Sequence, residues 1–104
     1  MRYKLVIYVP VVNGDEVRQA IGEAGAGRVG NYVNCSFTSR GVGRFLPLDG
    51  ANPAIGEVGK AEAVEEERIE VTVDESALAS VISALKKVHP YEEPAYDVYK
   101  LEDL

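Results

Sequence analysis

The residues best suited to chemistry lie near the C-terminus, in the run His89-Pro90-Tyr91-Glu92-Glu93-Pro94. His89 is the only histidine, and near neutral pH an imidazole can bind a metal ion or carry a proton. Glu92 and Asp97 add carboxylates, and Cys35 is a soft ligand from another part of the chain. Because no paired-histidine motif is present, this set is weaker than a true metal-ligand pair. His89 and Glu92 are the predicted ligands of a divalent metal ion.

His89 also has a structural interpretation. At the C-terminus of a helix, an imidazole interacts favourably with the last carbonyls and with the helix dipole. Pro90 and Pro94 would then stiffen the turn into the last strand. The residue types favour this structural role over ligand contact, and both interpretations stay open at this point.

Cys35 has two interpretations as well. It shares the apolar parity of a predicted strand, which is typical of an inert core cysteine. A nucleophilic role would require a base, and His89 is the sole candidate. No serine lies in a nucleophile elbow, so the chain is predicted not to be an enzyme on its own.

The first half of the chain predicts a strand, a helix and a second strand. Residues 5–9 are apolar and β-branched, and Asn13 with Glu16 matches a capping box before an amphipathic helix. Residues 31–38 alternate between apolar and polar types, which predicts the second strand. Glycines and prolines dominate from Ser39 to Glu62, which predicts a long loop.

The glycines at 25, 27 and 30 spell G-x-G-x-x-G between the first helix and the second strand. A dinucleotide site needs this pattern between a strand and the N-terminus of a helix, where backbone amides meet phosphate. Here the order is reversed, so the glycines predict a helix stop and a tight turn.

The second half repeats the order strand, helix, strand. Residues 68–73 alternate cleanly, Asp74 is a good helix cap, and residues 96–101 predict a final strand. The helix between them has the clearest apolar stripe of the chain, formed by Leu78, Val81, Ile82, Leu85 and Val88. The run Glu65-Glu66-Glu67 is interpreted as a solvated entry to the third strand. The predicted fold is an α+β, ferredoxin-like βαββαβ sandwich, with two helices on one face of an antiparallel sheet and a long loop after the second strand.

The composition limits the partners and cellular locations that the chain is expected to have. The 104 residues suit one domain, 1–104, and the net charge of −6 disfavours nucleic acid and anionic membranes as partners. A single cysteine excludes an internal disulfide, and the sequence shows neither a signal peptide nor an apolar segment long enough to span a bilayer, so a cytoplasmic location is expected.

The sheet face away from the helices is predicted to be apolar and rich in tyrosine. If Leu5 and Ile7 face the helices, then Val6 and Tyr8 face away, with Tyr32 and Tyr99 on the same side. Such a face on a small domain predicts contact between subunits. The residues leave open whether the assembly is a dimer or a trimer.

Four stretches carry a resemblance to a known family: residues 23–32, Cys35-Ser36-Phe37, residues 50–56, and residues 89–97. They closely resemble the domain inserted in bacterial Nif-three-like (YqfO-type) proteins, and the His-Pro-Tyr-Glu segment is similar to one in CutA divalent-cation-tolerance proteins. The resemblance implies a PII-like ferredoxin fold that often assembles as trimers. It also implies that the two-metal site of the YqfO-type proteins lies in a flanking domain.

In PII-like trimers, small ligands bind in clefts between subunits, beside the loop after the second strand. The resemblance therefore implies an oligomeric regulatory or sensor module that binds a metal ion or a small metabolite, with Asn31, Cys35, His89 and Glu92 as ligand contacts. Relatives often carry histidine where this chain has Asn34, which weakens a metal site on that strand. The alternatives are a protein–protein adaptor without a ligand, or the remnant of a metal-dependent hydrolase.

Overall fold

The computed structural model describes all 104 residues. The elements are β1 (Arg2–Pro10), a 3₁₀ turn (Val11–Asn13), α1 (Gly14–Glu23), β2 (Phe37–Phe45), β3 (Glu62–Asp74), α2 (Glu75–Val88) and β4 (Ala95–Lys100). The four strands form one antiparallel sheet in the order β2-β3-β1-β4. This confirms the predicted ferredoxin-like fold. No helix is long and apolar enough to cross a membrane.

The hydrophobic core lies between the helices and one face of the sheet. Alternate residues of the two central strands point into it, because side chains along a strand alternate between faces. Eleven buried side chains form one cluster: Leu5, Ile7, Val9, Val17, Ile21, Ala26, Ile69, Val71, Val73, Val81 and Leu85. Burying an aliphatic side chain of this size contributes about 1.5–3 kcal/mol. The opposite face, called the back face here, therefore carries the other parity of each strand.

The glycines after α1 end the helix, as predicted. Gly25 has φ 112°, Ala26 N–H donates to the Ile21 carbonyl, and Gly25 N–H donates to the Gly22 carbonyl. This is the Schellman pattern, which satisfies carbonyls that the helix leaves unpaired. Asn13 is the N-cap residue of α1, as predicted, but its side chain makes no capping hydrogen bond, because the 3₁₀ turn already places its backbone in helical geometry.

α2 begins and ends as the sequence predicts. The Asp74 carboxylate accepts hydrogen bonds from Ser76 N–H (3.0 Å) and from the Ser76 hydroxyl (2.6 Å). These bonds satisfy an orphan donor at the helix start, and they lower the pKa of Asp74. At the other end, His89 is the C-cap residue and its N–H donates to the Leu85 carbonyl.

The second strand lies further along the chain than predicted. Residues 31–36 are not a strand, because Gly30 and Asn34 have φ of 56° and 58°, outside extended geometry. β2 instead runs through Gly41 and Gly43, since all nine of its residues pair with β3. The predicted 39–62 loop is correspondingly shorter, covering residues 46–61, and Cys35 is not on a strand.

β2 and the start of β3 form an arm that extends past the rest of the sheet. β1 pairs with β3 only from Glu66 onward, so residues 62–65 have β2 as their only partner. The loop of residues 46–61 folds back from this arm, and Asn52 N–H donates to Glu92 Oε1 at 3.0 Å. The arm, the loop and the segment that precedes β4 thus surround one part of the back face.

Candidate functional site

A pocket of about 600 Å³ lies where these three parts meet, and we call it the Tyr91 pocket. Its lining comes from β2 and the start of the loop (39–47), from loop residues 51 and 53–55, and from residues 91–93. Tyr8, Glu66, Arg68 and Ala95 contribute from the back face. A concave site of this volume with an apolar wall and a few polar groups is the usual form of a small-molecule site.

A buried carboxylate lies in the pocket. Glu66 is only 7% exposed, and its Oε2 accepts a 2.5 Å hydrogen bond from the Tyr91 hydroxyl. No salt bridge reaches Glu66, so the hydroxyl is its one side-chain partner. Burial, the hydrogen bond and the nearby negative charge raise the pKa of Tyr91. The phenol therefore stays protonated and holds the carboxylate in place.

His89 supports Tyr91 from the side. Its ring lies 5.2 Å from the Tyr91 ring, its Nδ1 accepts from Tyr91 N–H (3.2 Å), and its Nε2 lies 2.8 Å from the Tyr8 carbonyl. Because an amide can only donate and a carbonyl can only accept, the proton of the neutral ring is on Nε2. Burial lowers the pKa of His89, against opposing contributions from the Tyr8 carbonyl and from Glu66. Both ring nitrogens of His89 are therefore hydrogen-bonded within the domain.

Arg68 is another charged residue of the pocket, whose lining also includes Arg40, Arg44, Glu92 and Glu93. Its guanidinium carbon lies 5.7 Å from the centre of the Tyr8 ring, within cation–π range. Its only ion pair, with Glu70 Oε1, is 3.8 Å long, and its buried Nε has no hydrogen-bond partner. Arg68 and Glu66 are two residues apart on β3, so both leave the sheet on the back face, about 7 Å apart.

Two glycines of β2 shape the floor of the pocket. Gly41 and Gly43 pair with Glu66 and Val64, so their missing side chains would also point to the back face. A Cβ at Gly43 would lie 2.0 Å from Glu66 Oε1, whereas a Cβ at Gly41 would meet nothing within 4 Å. Gly43 leaves room for the carboxylate, and Gly41 leaves the pocket open.

The aromatic wall completes the site. Phe45, at the end of β2, meets Tyr91 edge to face, with ring centroids 5.8 Å apart at 62°. Such pairs contribute about 0.5–1.5 kcal/mol beyond the area they bury. This contact joins the arm to the segment before β4.

The four predicted contact residues do not come together. Glu92 lines the Tyr91 pocket, with His89 just behind it, but Cys35 lies in a second pocket of about 580 Å³ beside α1. Asn31 is exposed in the turn closed by Val29 and Tyr32. No group of three or more histidine, cysteine, aspartate or glutamate side chains is placed to hold a metal ion. The nitrogens of His89 and one carboxylate oxygen of Glu92 have backbone hydrogen-bond partners.

Sequence reasoning missed the roles of Glu66, Arg68 and Tyr91. The interpretation of residues 65–67 as a solvated entry is wrong, because Glu66 and Glu67 are each 7% exposed. They point to opposite faces, and Glu67 forms a 2.8 Å ion pair with Arg18 of α1. The available signal was the parity of β3, which places Glu66 and Arg68 on the face of Tyr8.

Relatives match this chain closely but are much longer. It is 54% identical over 99 residues to the GTP cyclohydrolase 1 type 2 homolog of Halalkalibacterium halodurans, covering 95% of this chain and 27% of that protein. The homolog of Bacillus subtilis is 52% identical over 99 residues, with 95% and 26% covered. The chain thus spans about a quarter of the length of the curated relatives it matches. No protein-family model matches it.

Solved structures also match this chain, some in sequence and fold and others in fold alone. A Bacillus cereus protein related to NIF3 superposes with a TM-score of 0.85 at 47% identity, covering 98% of this chain and 26% of that one. The periplasmic divalent cation tolerance protein CutA of Archaeoglobus fulgidus gives 0.71 at 19% identity, with 99% and 86% covered. The GlnK–ATP complex of B. subtilis gives 0.64 at 17% identity, with 96% and 81% covered. The chain is therefore homologous to one segment of the NIF3-related proteins, and it shares its fold with CutA and GlnK.

Proposed function

We propose that residues 1–104 form a single PII/CutA-like regulatory or sensor module that binds a small molecule in the Tyr91 pocket. The observation that carries the proposal is the prearranged polar pair in this pocket. Glu66 is buried and held by Tyr91, and Arg68 is held over Tyr8. Holding polar groups in place before a ligand arrives reduces the entropy lost on binding.

A small molecule fits this site better than a metal ion. Coordination by His89 would break either its bond to the Tyr8 carbonyl or its bond from Tyr91 N–H. The predicted metal role of His89 and Glu92 stays a prediction, which a zinc titration tests. The GlnK–ATP complex supports a small-molecule role by analogy of fold alone.

The back face favours assembly with further copies of this chain. Phe37 and Tyr99 lie on this face with 69% and 51% of their surface exposed, and a neighbouring copy would bury them. Tyr32, predicted to share the face, is instead in the turn near α1. Because the Tyr91 pocket opens on the same face, a neighbour packed there would turn it into a cleft between subunits. We propose a homo-oligomer, with a trimer favoured.

Catalysis is not proposed for this chain. The pocket holds no free nucleophile next to a base, since both nitrogens of His89 are hydrogen-bonded and Cys35 lies in another pocket. The name GTP cyclohydrolase 1 type 2 homolog belongs to proteins of which this chain spans about a quarter. A hydrolase remnant would bind metal tightly after purification, and metal analysis tests that alternative.

Binding is tested with a panel of common metabolites, including ATP, amino acids and zinc, followed by ligand-observed NMR. Gly41→Leu fills the pocket from an unstrained position, so it should abolish binding of any compound that occupies the site. Lys4→Leu, on the back face but outside the pocket lining, is the control and should leave binding unchanged. Binding that persists in Gly41→Leu would place the ligand elsewhere. No binding by any compound at millimolar concentration would favour the adaptor alternative.

Assembly is tested by light scattering at micromolar concentration. Phe37→Lys should shift the oligomer to monomers, because a buried unpaired charge opposes association. Val12→Lys is the matched control, since Val12 is 91% exposed and belongs to the 3₁₀ turn outside the sheet. A wild-type protein that is monomeric at this concentration would contradict the proposal.

A further inference from the structure

We infer that the ligand of the Tyr91 pocket carries both a protonated amine and a carboxylate, as an amino acid with an apolar side chain does. The inference rests on the proposed function and names its ligand class. Glu66 and Arg68 carry it: two opposite charges, held on one strand and one face, neither of which has a full complement of partners.

The amine would bind at Glu66. A buried carboxylate is costly unless a positive charge or several donors compensate it, and this one has only the Tyr91 hydroxyl, on Oε2. No hydrogen bond or ion pair occupies Oε1, which lies against Gly43 on the floor of the pocket. An ammonium group placed there would supply the missing positive charge and the missing donor together. The aromatic rings of Phe45 and Tyr91 beside it also favour a cation.

The carboxylate would bind at Arg68. Its Nε has no acceptor and its ion pair with Glu70 is long, so its planar donor fork is largely unused. A carboxylate accepts two parallel hydrogen bonds from such a fork. The Tyr8 ring holds the guanidinium in position, which limits the entropy lost on binding.

The placement of the two groups suits one small zwitterion. Glu66 and Arg68 are two residues apart on β3, so their Cα atoms are about 7 Å apart and both side chains leave the same face. Both side chains also line the same pocket, so one molecule in it can form a charge-assisted hydrogen bond with each of them. An α-amino acid would therefore bridge Glu66 and Arg68. Its side chain would lie against the apolar wall that Leu46, Pro53 and Ile55 contribute from the loop.

The test begins with calorimetric titration of the standard L-amino acids into the wild-type protein. The strongest binder is then compared with its decarboxylated amine and its deaminated acid. We expect the zwitterion to bind about tenfold or more tightly than either single-charge counterpart, because each lost ionic hydrogen bond costs about that factor. We expect the strongest binder to be an amino acid with an apolar side chain.

Two variants separate the two charges. Glu66→Gln should weaken the amino acid and the amine about tenfold while leaving the acid unchanged, and Arg68→Gln should weaken the amino acid and the acid but not the amine. Glu65→Gln and Arg28→Gln are the controls, because both residues are exposed and lie outside the pocket. Circular dichroism verifies that each variant is folded.

Three results would overturn the inference: no amino acid binds at millimolar concentration, the three compounds bind equally well, or amino acid binding survives both pocket variants. Any of these leaves the proposed function intact if another metabolite binds in a manner that Gly41→Leu abolishes. If no compound of the wider panel shows binding that Gly41→Leu abolishes, the proposed function fails as well.

Discussion

The Tyr91 hydroxyl donates a 2.5 Å hydrogen bond to Glu66 Oε2, joining two residues that are 25 positions apart in sequence. Glu66 belongs to β3 at the base of the arm, where pairing with β1 begins, whereas Tyr91 belongs to the segment between α2 and β4. The bond therefore ties the base of the arm to the segment before β4 at the pocket. It also explains why a carboxylate can be buried on this face.

Removing the hydroxyl should destabilise the domain. In Tyr91→Phe, the Glu66 carboxylate loses its one side-chain donor, and an unsatisfied buried polar group costs about 1–3 kcal/mol. The measurement is the free energy of unfolding by urea at pH 7. Tyr99→Phe is the control: Tyr99 is 51% exposed and makes no side-chain hydrogen bond, so its change should stay within about 0.5 kcal/mol. Equal effects of the two substitutions would contradict the role given to this bond.

Alkaline pH should affect the same bond. The pKa of Tyr91 is raised above the ordinary value of 10.0, so its protonated form is favoured in the folded state. The stability that this proton contributes is present below pH 10 and is lost as the pH rises towards the raised pKa. Tyrosinate absorbance measured against pH gives one titration curve for the wild type and one for Tyr91→Phe. The two curves should differ only at their alkaline end, where the Tyr91 hydroxyl of the wild type loses its proton. A difference centred near or below the ordinary pKa would count against a protonated, buried phenol.

Acidic pH should lower the stability of the folded domain through His89. Its pKa is lowered in the folded state, chiefly by burial, so the unfolded chain binds a proton first as the pH falls. Stability is therefore full above the unfolded value of 6.5 and decreases as the pH falls from there towards the lowered pKa, by at most about 1.4 kcal/mol per pH unit. Glu66 is the charged group that opposes this shift.

The predicted loss of stability in acid is tested by measuring the free energy of unfolding between about pH 7 and pH 5, in the wild type and in His89→Gln. The substituted side chain does not titrate, so the decrease should be smaller in the variant, although the variant is less stable at pH 7. A decrease of the same size in both proteins would show that other groups govern the acid response.

The sequence predicted those elements whose signals are local. The Asp74 cap, the apolar stripe of α2 and the Gly25 stop each depend on residues within a few positions of one another. β2 was placed too early because its two glycines weaken strand preference, and only pairing with a distant part of the chain makes it a strand. Strand propensity is context-dependent, so such an element cannot be located from its own residues.

The same limit applied to the site. His89 and Glu92 lie beside the pocket because they are close in sequence to Tyr91. Glu66 and Arg68 reach it only through the register of β3 with β1. In the sequence, Glu66 is one glutamate among three neighbours. Gly41 and Gly43 were assigned to a loop, so their position on the back face beside Glu66 emerges only from the pairing of β2 with β3.

Those two glycines provide a matched test of the pocket. In Gly41→Ala the new methyl group meets nothing within 4 Å, and the loss of glycine flexibility in the unfolded chain should leave stability unchanged or raise it by about 0.4–1 kcal/mol. In Gly43→Ala the methyl group would lie 2.0 Å from Glu66 Oε1. Glu66 must then move, which breaks its bond with Tyr91, so we expect a loss of about 1–3 kcal/mol.

A double-mutant cycle separates this mechanism from a general effect on the strand. If Gly43→Ala acts by displacing Glu66, then the bond is already lost in Tyr91→Phe, and the second substitution should cost less than it does in the wild type. The coupling should be at least about 0.5 kcal/mol, the range found for residues in one network. Gly41→Ala should combine with Tyr91→Phe additively, because it touches neither partner. Additive effects of Gly43→Ala and Tyr91→Phe would mean that the carboxylate is not held by the hydroxyl as described.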